Sequence, residues 1–216
     1  MRPRRRKAEA VLAGAVLILA APLFVAVAIG IWLSDPGPVF YPARRAGLHG
    51  LPFRMYKFRT MRIASAPGSR IAGIGDPRVF PFGRLLRRFR IDELPQLLNI
   101  LRGEMAFVGP RPEDPWIVDH FYAEADRETL NVLPGLTSPG TLYYLTQAEP
   151  LLDNADAEAS YIAGPLQKKL ALDRAWIHRG SASGDLRMVA QALACVLRFA
   201  RYPKQQRENH HRYQRQ

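Results

Sequence analysis

The chain has 216 residues, 48% of them hydrophobic and 23% charged, with a formal net charge of +12 and a single cysteine. That apolar fraction excludes a disordered chain, and one cysteine excludes a fold stapled by intrachain disulfides. The basic excess calls for an anionic partner, which composition alone leaves open among nucleic acid, anionic lipid and a phosphorylated small molecule.

The charge is unevenly placed. Residues 44–111 hold 14 basic against 4 acidic residues, whereas residues 112–183 hold 5 against 11. Of the 31 basic residues, 26 are Arg, the side chain whose planar fork binds phosphate oxygens in pairs.

At the N-terminus, Arg2, Arg4, Arg5, Arg6 and Lys7 precede 25 uncharged residues from Ala10 to Ser34. The run is too long for the ~7 to 15 apolar residues of a cleaved signal peptide, so it reads as a membrane segment. As a helix of ~1.5 Å rise per residue it could span a ~30 Å hydrocarbon core. Pro22 stands at its midpoint, cannot donate to the Ile18 carbonyl, and predicts a kink or break there. Each arm would then reach only ~18 Å, enough to enter one leaflet and return. Both flanks of the run are basic, and the positive-inside rule places both in the cytoplasm. A kinked helix that spans remains the competing reading, because proline is tolerated in transmembrane helices.

Asp35-Pro-Gly-Pro38 closes this segment, and an extended stretch begins at Val39. Phe53 to Met61 alternates apolar and basic residues, the period-2 pattern of a half-buried strand, with Lys57 and Arg59 on one face. Ala64 to Pro77 reads as a loop. Helical patterns follow over Gly83–Arg90, Glu93–Arg102, Glu113–Leu130, Asp156–Arg179 with a break at Gly164-Pro165, and Asp185–Tyr202. The basic tail after Pro203 carries no pattern.

The most informative stretch runs from Arg84 to Gly103. Leu94, Leu97, Leu98 and Leu101 form a core-facing helical stripe, and Pro95 is tolerated only in a first turn, which predicts an N-cap near Asp92. Asp92 and Glu93 would then sit at the positive end of a helix among Arg84, Arg87, Arg88 and Arg90, and should stay ionised. Ionised carboxylates there can act as a nucleophile or hold a divalent cation, and the arginines can receive phosphate. An acidic first turn with only a capping role is the plainer alternative for such a pair. Against it stands Gly109-Pro-Arg-Pro-Glu113, where prolines on both sides restrict Arg111 and reduce the entropy lost on holding an anion.

These stretches resemble the bacterial sugar transferases, the monotopic phosphoglycosyl transferases that act on a polyprenol carrier. The resemblance rests on Pro36-Gly-Pro-Val-Phe-Tyr41, Gly50-Leu-Pro-Phe53, Tyr56-Lys-Phe-Arg-Thr-Met61, Ile91-Asp-Glu-Leu-Pro-Gln-Leu-Leu-Asn99, Gly103-Glu-Met105, Val108-Gly-Pro-Arg-Pro-Glu113 and Pro134-Gly-Leu-Thr137, in the family's order. It implies transfer of sugar-1-phosphate from a nucleoside diphosphate sugar, of UDP type, to polyprenol phosphate, the priming step of exopolysaccharide, capsule or O-antigen assembly. It implies Asp92 as nucleophile, Glu93 with Asp92 as the Mg2+-holding pair, and Lys57, Arg87 and Arg111 in the donor phosphate or nucleotide pocket. Arg59, on the strand face of Lys57, is expected beside them. The expected fold is α+β and mostly helical. It has a re-entrant membrane helix broken at Pro22 within residues 1–36, a small catalytic domain with short strands over 37–202, and a tail over 203–216. The expected location is the inner membrane with the catalytic domain on the cytoplasmic face, with no nucleic-acid partner and with room for a homodimer.

Two departures from the family pattern stand out. Glu9 occupies the place of an Asp after Arg5-Arg6, which keeps the charge. After Thr137 the chain reads Ser-Pro-Gly-Thr-Leu-Tyr-Tyr-Leu-Thr-Gln147 in place of a Gly, an aromatic and an Asn-Gly-Arg-like turn, a change that bears on sugar and base specificity. Glu149 to Glu158 is acidic and has no assigned role. The alternative function is a membrane-tethered basic module for nucleic acid or anionic lipid, with Phe53, Tyr56 and Phe58 as stacking platforms. The five histidines lack metal-ligand spacing, Cys195 reads as a core residue, and the last helix could lie on a membrane surface.

Overall fold

A computed structural model describes residues 3–63, 70–73, 75–152 and 156–201. The loop expected at 64–77 therefore falls partly outside the described residues, as does the tail over 203–216.

The first element, α1 (Pro3–Ser34), is long and apolar enough to cross a membrane. One stripe of it packs inward. Ala13, Val27 and Ile31 are buried, and Val16, Leu17 and Phe24 fill the spacing between them. The opposite face is bare, with Ile18 76% and Leu19 82% exposed. The helix does not end at Pro22: α1 continues through it as one helical element. Proline's fixed φ is itself helical, but it removes the hydrogen bond to the Ile18 carbonyl and its ring crowds that turn. Leu17 and Phe24, on either side, are packed into two different core clusters that hold the flanking turns in line.

Both ends of α1 are fastened to the rest of the molecule. Arg6 donates to the Gly103 carbonyl at 3.0 Å, and the Glu9 carboxylate accepts from the Phe107 amide at 3.3 Å. At the other end, Arg59 donates to the Asp35 carboxylate and carbonyl and to the Pro38 carbonyl, the last at 2.6 Å.

The hairpin β1 (Phe40–Ala46) and β2 (Pro52–Phe58) is antiparallel, with Tyr41 opposite Lys57. The period-2 pattern continues to Met61, but β2 ends at Phe58 because the chain changes partner: Met61 bridges to Val79 and Phe80 donates to the Thr60 carbonyl. There follow α2 (Pro81–Arg88), a 3-10 turn (Ile91–Glu93), α3 (Gln96–Leu101), β3 (Ala106–Val108) and α4 (Pro115–Phe121). A 3-10 segment (Glu124–Asn131), β4 (Gly135–Thr137) and α5 (Pro139–Tyr143) come next. A π-helical turn (Tyr144–Ala148), α6 (Ala157–Ala163), α7 (Pro165–Arg179) and α8 (Ala182–Arg201) complete the described chain.

The single helix expected over Glu113–Leu130 is two elements. Tyr122 is extended, with φ −83° and ψ 121°, and the Asp126 carboxylate restarts a turn by accepting from the Ala123 amide at 3.1 Å. The break at Gly164-Pro165 falls where expected, with Gly164 between α6 and α7. The architecture is α+β and mostly helical, as the sequence predicts.

Three apolar clusters hold it together. The first half of α1 packs on β1, β2 and α3 through Ala13, Ala43, Met55, Leu97 and Ile100. The second half packs on β2 and α2 through Val27, Ile31, Phe58, Phe80 and Leu86. A third cluster joins α4, α6 and α7 through Ile117, Tyr161, Leu166 and Leu170. β3 and β4 run parallel between these layers, with Ala106 opposite Gly135 and Val108 opposite Thr137.

Candidate active site

The acidic pair is presented by a sharp reversal between α2 and α3. Arg90 adopts a left-handed conformation, φ 54° and ψ 20°, which a side-chain-bearing residue enters at a cost and which recurs at functional sites. The chain then makes one 3-10 turn through Asp92 and Glu93, and Pro95 is the N-cap of α3. Asp92 is therefore not the helix cap expected from the sequence: it makes no capping hydrogen bond, and it lies one turn before the helix proper. The proline sets the start of regular α-helix at its own position, and the residues before it close into a tighter turn.

Asn99 fixes this turn against the hairpin. Its side chain is fully buried, donates to the Arg54 carbonyl and the Glu104 carboxylate, each at 2.7 Å, and accepts from the Tyr56 amide at 3.0 Å. It thereby joins the edge of β2, which carries Lys57, to α3, which follows Glu93.

Three cations converge on one carboxylate oxygen. Glu93 Oε1 pairs with Arg111 Nη2, with Lys57 Nζ at 3.5 Å and with Arg90 Nη1 at 3.6 Å. Burial pushes the Glu93 carboxyl up, but Arg111, Lys57 and Arg90 outweigh it and hold the group well below the usual carboxylate range. Asp92 behaves in the opposite way. It is 6% exposed, its Oδ1 is buried with no hydrogen-bond partner, and burial followed by repulsion from Glu93 raises its pKa. Lys57, Arg90 and Arg87 oppose that rise without cancelling it. Glu93 is thus held firmly ionised as expected, whereas the Asp92 pKa is shifted upward, by burial first and by the neighbouring Glu93 charge second. Burial pushes the Lys57 ammonium down to about 8 against the pull of Glu93 and Asp92.

Arg111 is delivered by the turn after β3. At this turn Gly109 and Gly135 lie back to back, and a Cβ on Gly135 would come within 2.1 Å of the Gly109 amide nitrogen. Glu113, two residues beyond Arg111, points the other way into a buried network with Lys169 of α7 and the Tyr161 hydroxyl of α6. Burial pushes its carboxyl up, and the pairing with Lys169 more than reverses this. One turn along α7, Asp173 accepts from the Gly140 amide at 2.8 Å and so secures the start of α5. The approach of α5 to α7 needs a glycine, since a Cβ at Gly140 would meet the Lys169 carbonyl at 2.6 Å.

The structure brings Asp92, Glu93, Lys57 and Arg111 together as expected, with Arg87 close enough for its charge to act on Asp92. Arg59 is elsewhere. It is 5% exposed and its guanidinium is spent on Asp35, Pro38 and Met61 at the end of α1, over the Phe80 ring. The change of partner after Phe58 takes it off the face that Lys57 occupies.

Two side chains that were not foreseen lie beside the site. Arg90 Nη2 pairs with Glu149 Oε2 at 2.7 Å, so the first residue of the unassigned acidic stretch reaches the turn that carries the acidic pair. Tyr144, in the π-helical turn, feels Glu149, Arg90, Glu113 and Arg111, and burial with Glu149 raises its hydroxyl pKa. The sequence signal for this contact was an acidic run in a chain with a basic block upstream, the two partners lying 59 residues apart. Gln96, one turn after Asp92, is fully buried with neither amide atom hydrogen-bonded.

The site is thus a carboxylate pair under converging cations, on a domain packed against an apolar N-terminal helix long enough to cross a membrane. The chain belongs to the bacterial sugar transferase family, whose pattern it matches over residues 2–199. It is 35% identical over 197 residues to the UDP-glucose:undecaprenyl-phosphate glucose-1-phosphate transferase of Caulobacter vibrioides, a match covering 90% of this chain and 70% of that protein. The transferase of the same name from Xanthomonas campestris pv. campestris is 35% identical over 180 residues, 82% of this chain and 35% of its own length. The UDP-N-acetylgalactosamine-undecaprenyl-phosphate N-acetylgalactosaminephosphotransferase of Aeromonas hydrophila is 44% identical over 120 residues, 55% of this chain and 27% of its own. The chain therefore spans between 27% and 70% of these relatives' lengths.

Proposed function

We propose that this protein is a membrane-bound phosphoglycosyl transferase. It moves sugar-1-phosphate from a UDP-sugar to polyprenol phosphate and primes the assembly of a bacterial polysaccharide. The observation that carries the reading is the division of labour in the acidic pair. Glu93 is locked in its charged form by Arg111, Lys57 and Arg90, while Asp92 keeps a buried, unpartnered oxygen beside them.

In this reading Asp92 attacks the sugar-linked phosphorus of the donor. A bond from its carboxylate oxygen to phosphorus forms as the bond to the nucleoside monophosphate oxygen breaks. A phosphate oxygen of the polyprenol carrier then attacks the same phosphorus and returns the Asp92 carboxylate. Lys57, Arg87 and Arg111 bind the donor phosphates and offset the negative charge that would repel the nucleophile. Asp92 and Glu93 suit Mg2+, which is held by one or two carboxylates together with substrate phosphates. When bound it neutralises charge on the transferring group. Cations that converge on buried carboxylates also favour a transferase over a basic module for nucleic acid or lipid, whose cations would face outward.

The anchoring of α1 supports insertion without crossing. Its two ends are fastened to one domain, by Arg6 and Glu9 at the start and by Asp35 at the finish, which keeps both on the same face of a bilayer. The basic flanks favour the cytoplasmic side for that face.

The test is direct. Membranes containing the protein, supplied with polyprenol phosphate and a panel of UDP-sugars, are expected to release UMP with at least one donor, and to lose that release when Mg2+ is chelated. No release with any donor would return the site to the basic-module reading.

Lys57 adds a pH signature. Its ammonium is charged below about pH 8 and neutral above. The attraction for donor phosphate is present at neutral pH and is lost on the alkaline side. The value of kcat/KM for the donor should therefore fall as pH rises through about 8, since this ratio reports the free enzyme. Lys57→Arg, which stays charged, should remove the alkaline limb. A profile that falls identically in the variant would assign the limb to another group.

A further inference from the structure

We propose that Arg90 is a further donor-phosphate residue, and that Glu149 occupies its guanidinium as an internal stand-in for phosphate until the donor displaces it. The inference rests on the proposed function.

Three observations lead to it. Arg90 is held in a left-handed turn immediately before the acidic pair, so its side chain is committed to the site by backbone geometry. Its two terminal nitrogens face different carboxylates, Nη1 toward Glu93 at 3.6 Å and Nη2 toward Glu149 at 2.7 Å. The shorter contact is to the residue that has no part in the chemistry. Glu149 arrives on the π-helical turn and 3-10 turn of residues 144–151, just after the stretch that departs from the family pattern.

The electrostatics explain what the pairing does. Without substrate, Lys57, Arg90 and Arg111 would crowd around a single carboxylate, and Glu149 supplies a second anion. A nucleoside diphosphate brings its own negative charges, which makes Glu149 redundant and repulsive. Carboxylate and phosphate both accept from the same guanidinium edge, so the two compete for Arg90. The consequence is a weaker apparent affinity for donor and for the nucleotide product, with no effect on the Asp92 step itself. The pair is partly exposed, with side-chain exposures of 25% and 18%, which lets a soluble nucleotide reach it and keeps the exchange energetically modest.

The experiment is equilibrium binding of UDP to the full-length protein in detergent or nanodiscs, alongside donor KM and kcat. Glu149→Gln should bind UDP about fivefold more tightly and lower KM in proportion with kcat little changed. Arg90→Gln should bind more weakly. The double variant should match Arg90→Gln alone, because removing the competitor helps only when its target is present. Glu149→Asp, which keeps the charge, should not reproduce the gain. Unchanged or weaker UDP binding in Glu149→Gln, or a gain that survives in the double variant, would overturn the inference and leave the proposed function standing. Failure of the unaltered protein to bind UDP would overturn both.

Discussion

Asp92→Asn should abolish UMP release, by about a thousandfold or more, while membrane association is retained and the melting temperature stays level or rises. The two halves of this expectation come from different features. Loss of turnover follows from replacing an attacking carboxylate oxygen by an amide that cannot form the phosphoryl ester. The neutral or favourable effect on stability follows from burial. Asp92 is almost enclosed, lies beside the permanently charged Glu93, and has its pKa raised by both. A carboxyl whose folded-state pKa is raised costs stability wherever it is ionised, and the amide removes that cost at neutral pH.

Glu93→Gln should behave differently. The depressed pKa of Glu93 means that its charge stabilises the fold above the ordinary carboxylate range, and that this contribution is lost as pH falls through the folded value. The amide would discard it and leave Arg111, Lys57 and Arg90 facing one another. Thermal unfolding of the two variants alongside UMP release separates a nucleophile from an organising charge. Measurable turnover in Asp92→Asn would remove Asp92 from the chemistry.

Lys169→Met should be the most destabilising of the substitutions considered, at about 3 to 5 kcal/mol, although Lys169 touches no part of the reacting group. Glu113, Lys169 and the Tyr161 hydroxyl are all buried, and removing the ammonium leaves the Glu113 carboxylate without its directly paired cation. Stability from this pair is present above the unfolded carboxylate pKa and is lost as pH falls through the depressed value of Glu113. Activity should fall as well, because Glu113 anchors the turn that aims Arg111. Pairing Lys169→Met with Glu113→Gln should restore most of the stability, which unfolding measurements on the single and double variants would show. Full stability in the single variant would mean that the pair contributes nothing.

How much of this could be read in advance depends on the range of the interaction concerned. The hairpin strand and the break at Gly164 are local patterns, and they stand where periodicity and proline chemistry put them. The leucine stripe is rotated: Leu97 is buried, but Leu101 is 46% exposed, and Gln96, Asn99 and Ile100 share the inward face with Leu97. Lys57 and Arg111 could be anticipated because each carries its own local signature, a strand alternation and a pair of flanking prolines. Arg59 shows the limit of that method. Period-2 spacing put it beside Lys57, and only the exchange of strand partner after Phe58 sends it to Asp35.

Pro22 shows another limit. The local cost of a proline is real, but packing of Leu17 and Phe24 on both sides keeps α1 continuous. Arg90 with Glu149 and Glu113 with Lys169 are separated by 59 and 56 residues. Pairings at that distance leave no periodic trace, since they depend on how α2, α5 and α7 are brought together.

The stripe along α1 has a consequence for how the molecule is made. Ala13 leaves the ribosome about eighty residues before Leu97, Ile100 and Met105, the side chains it finally packs against. During that interval Ala43 and Met55 are made and offer the stripe only part of its final cover. In the proposed function, the bilayer is the first apolar solvent for one face of this helix and later gives that face up to the domain, so the helix serves two environments in turn.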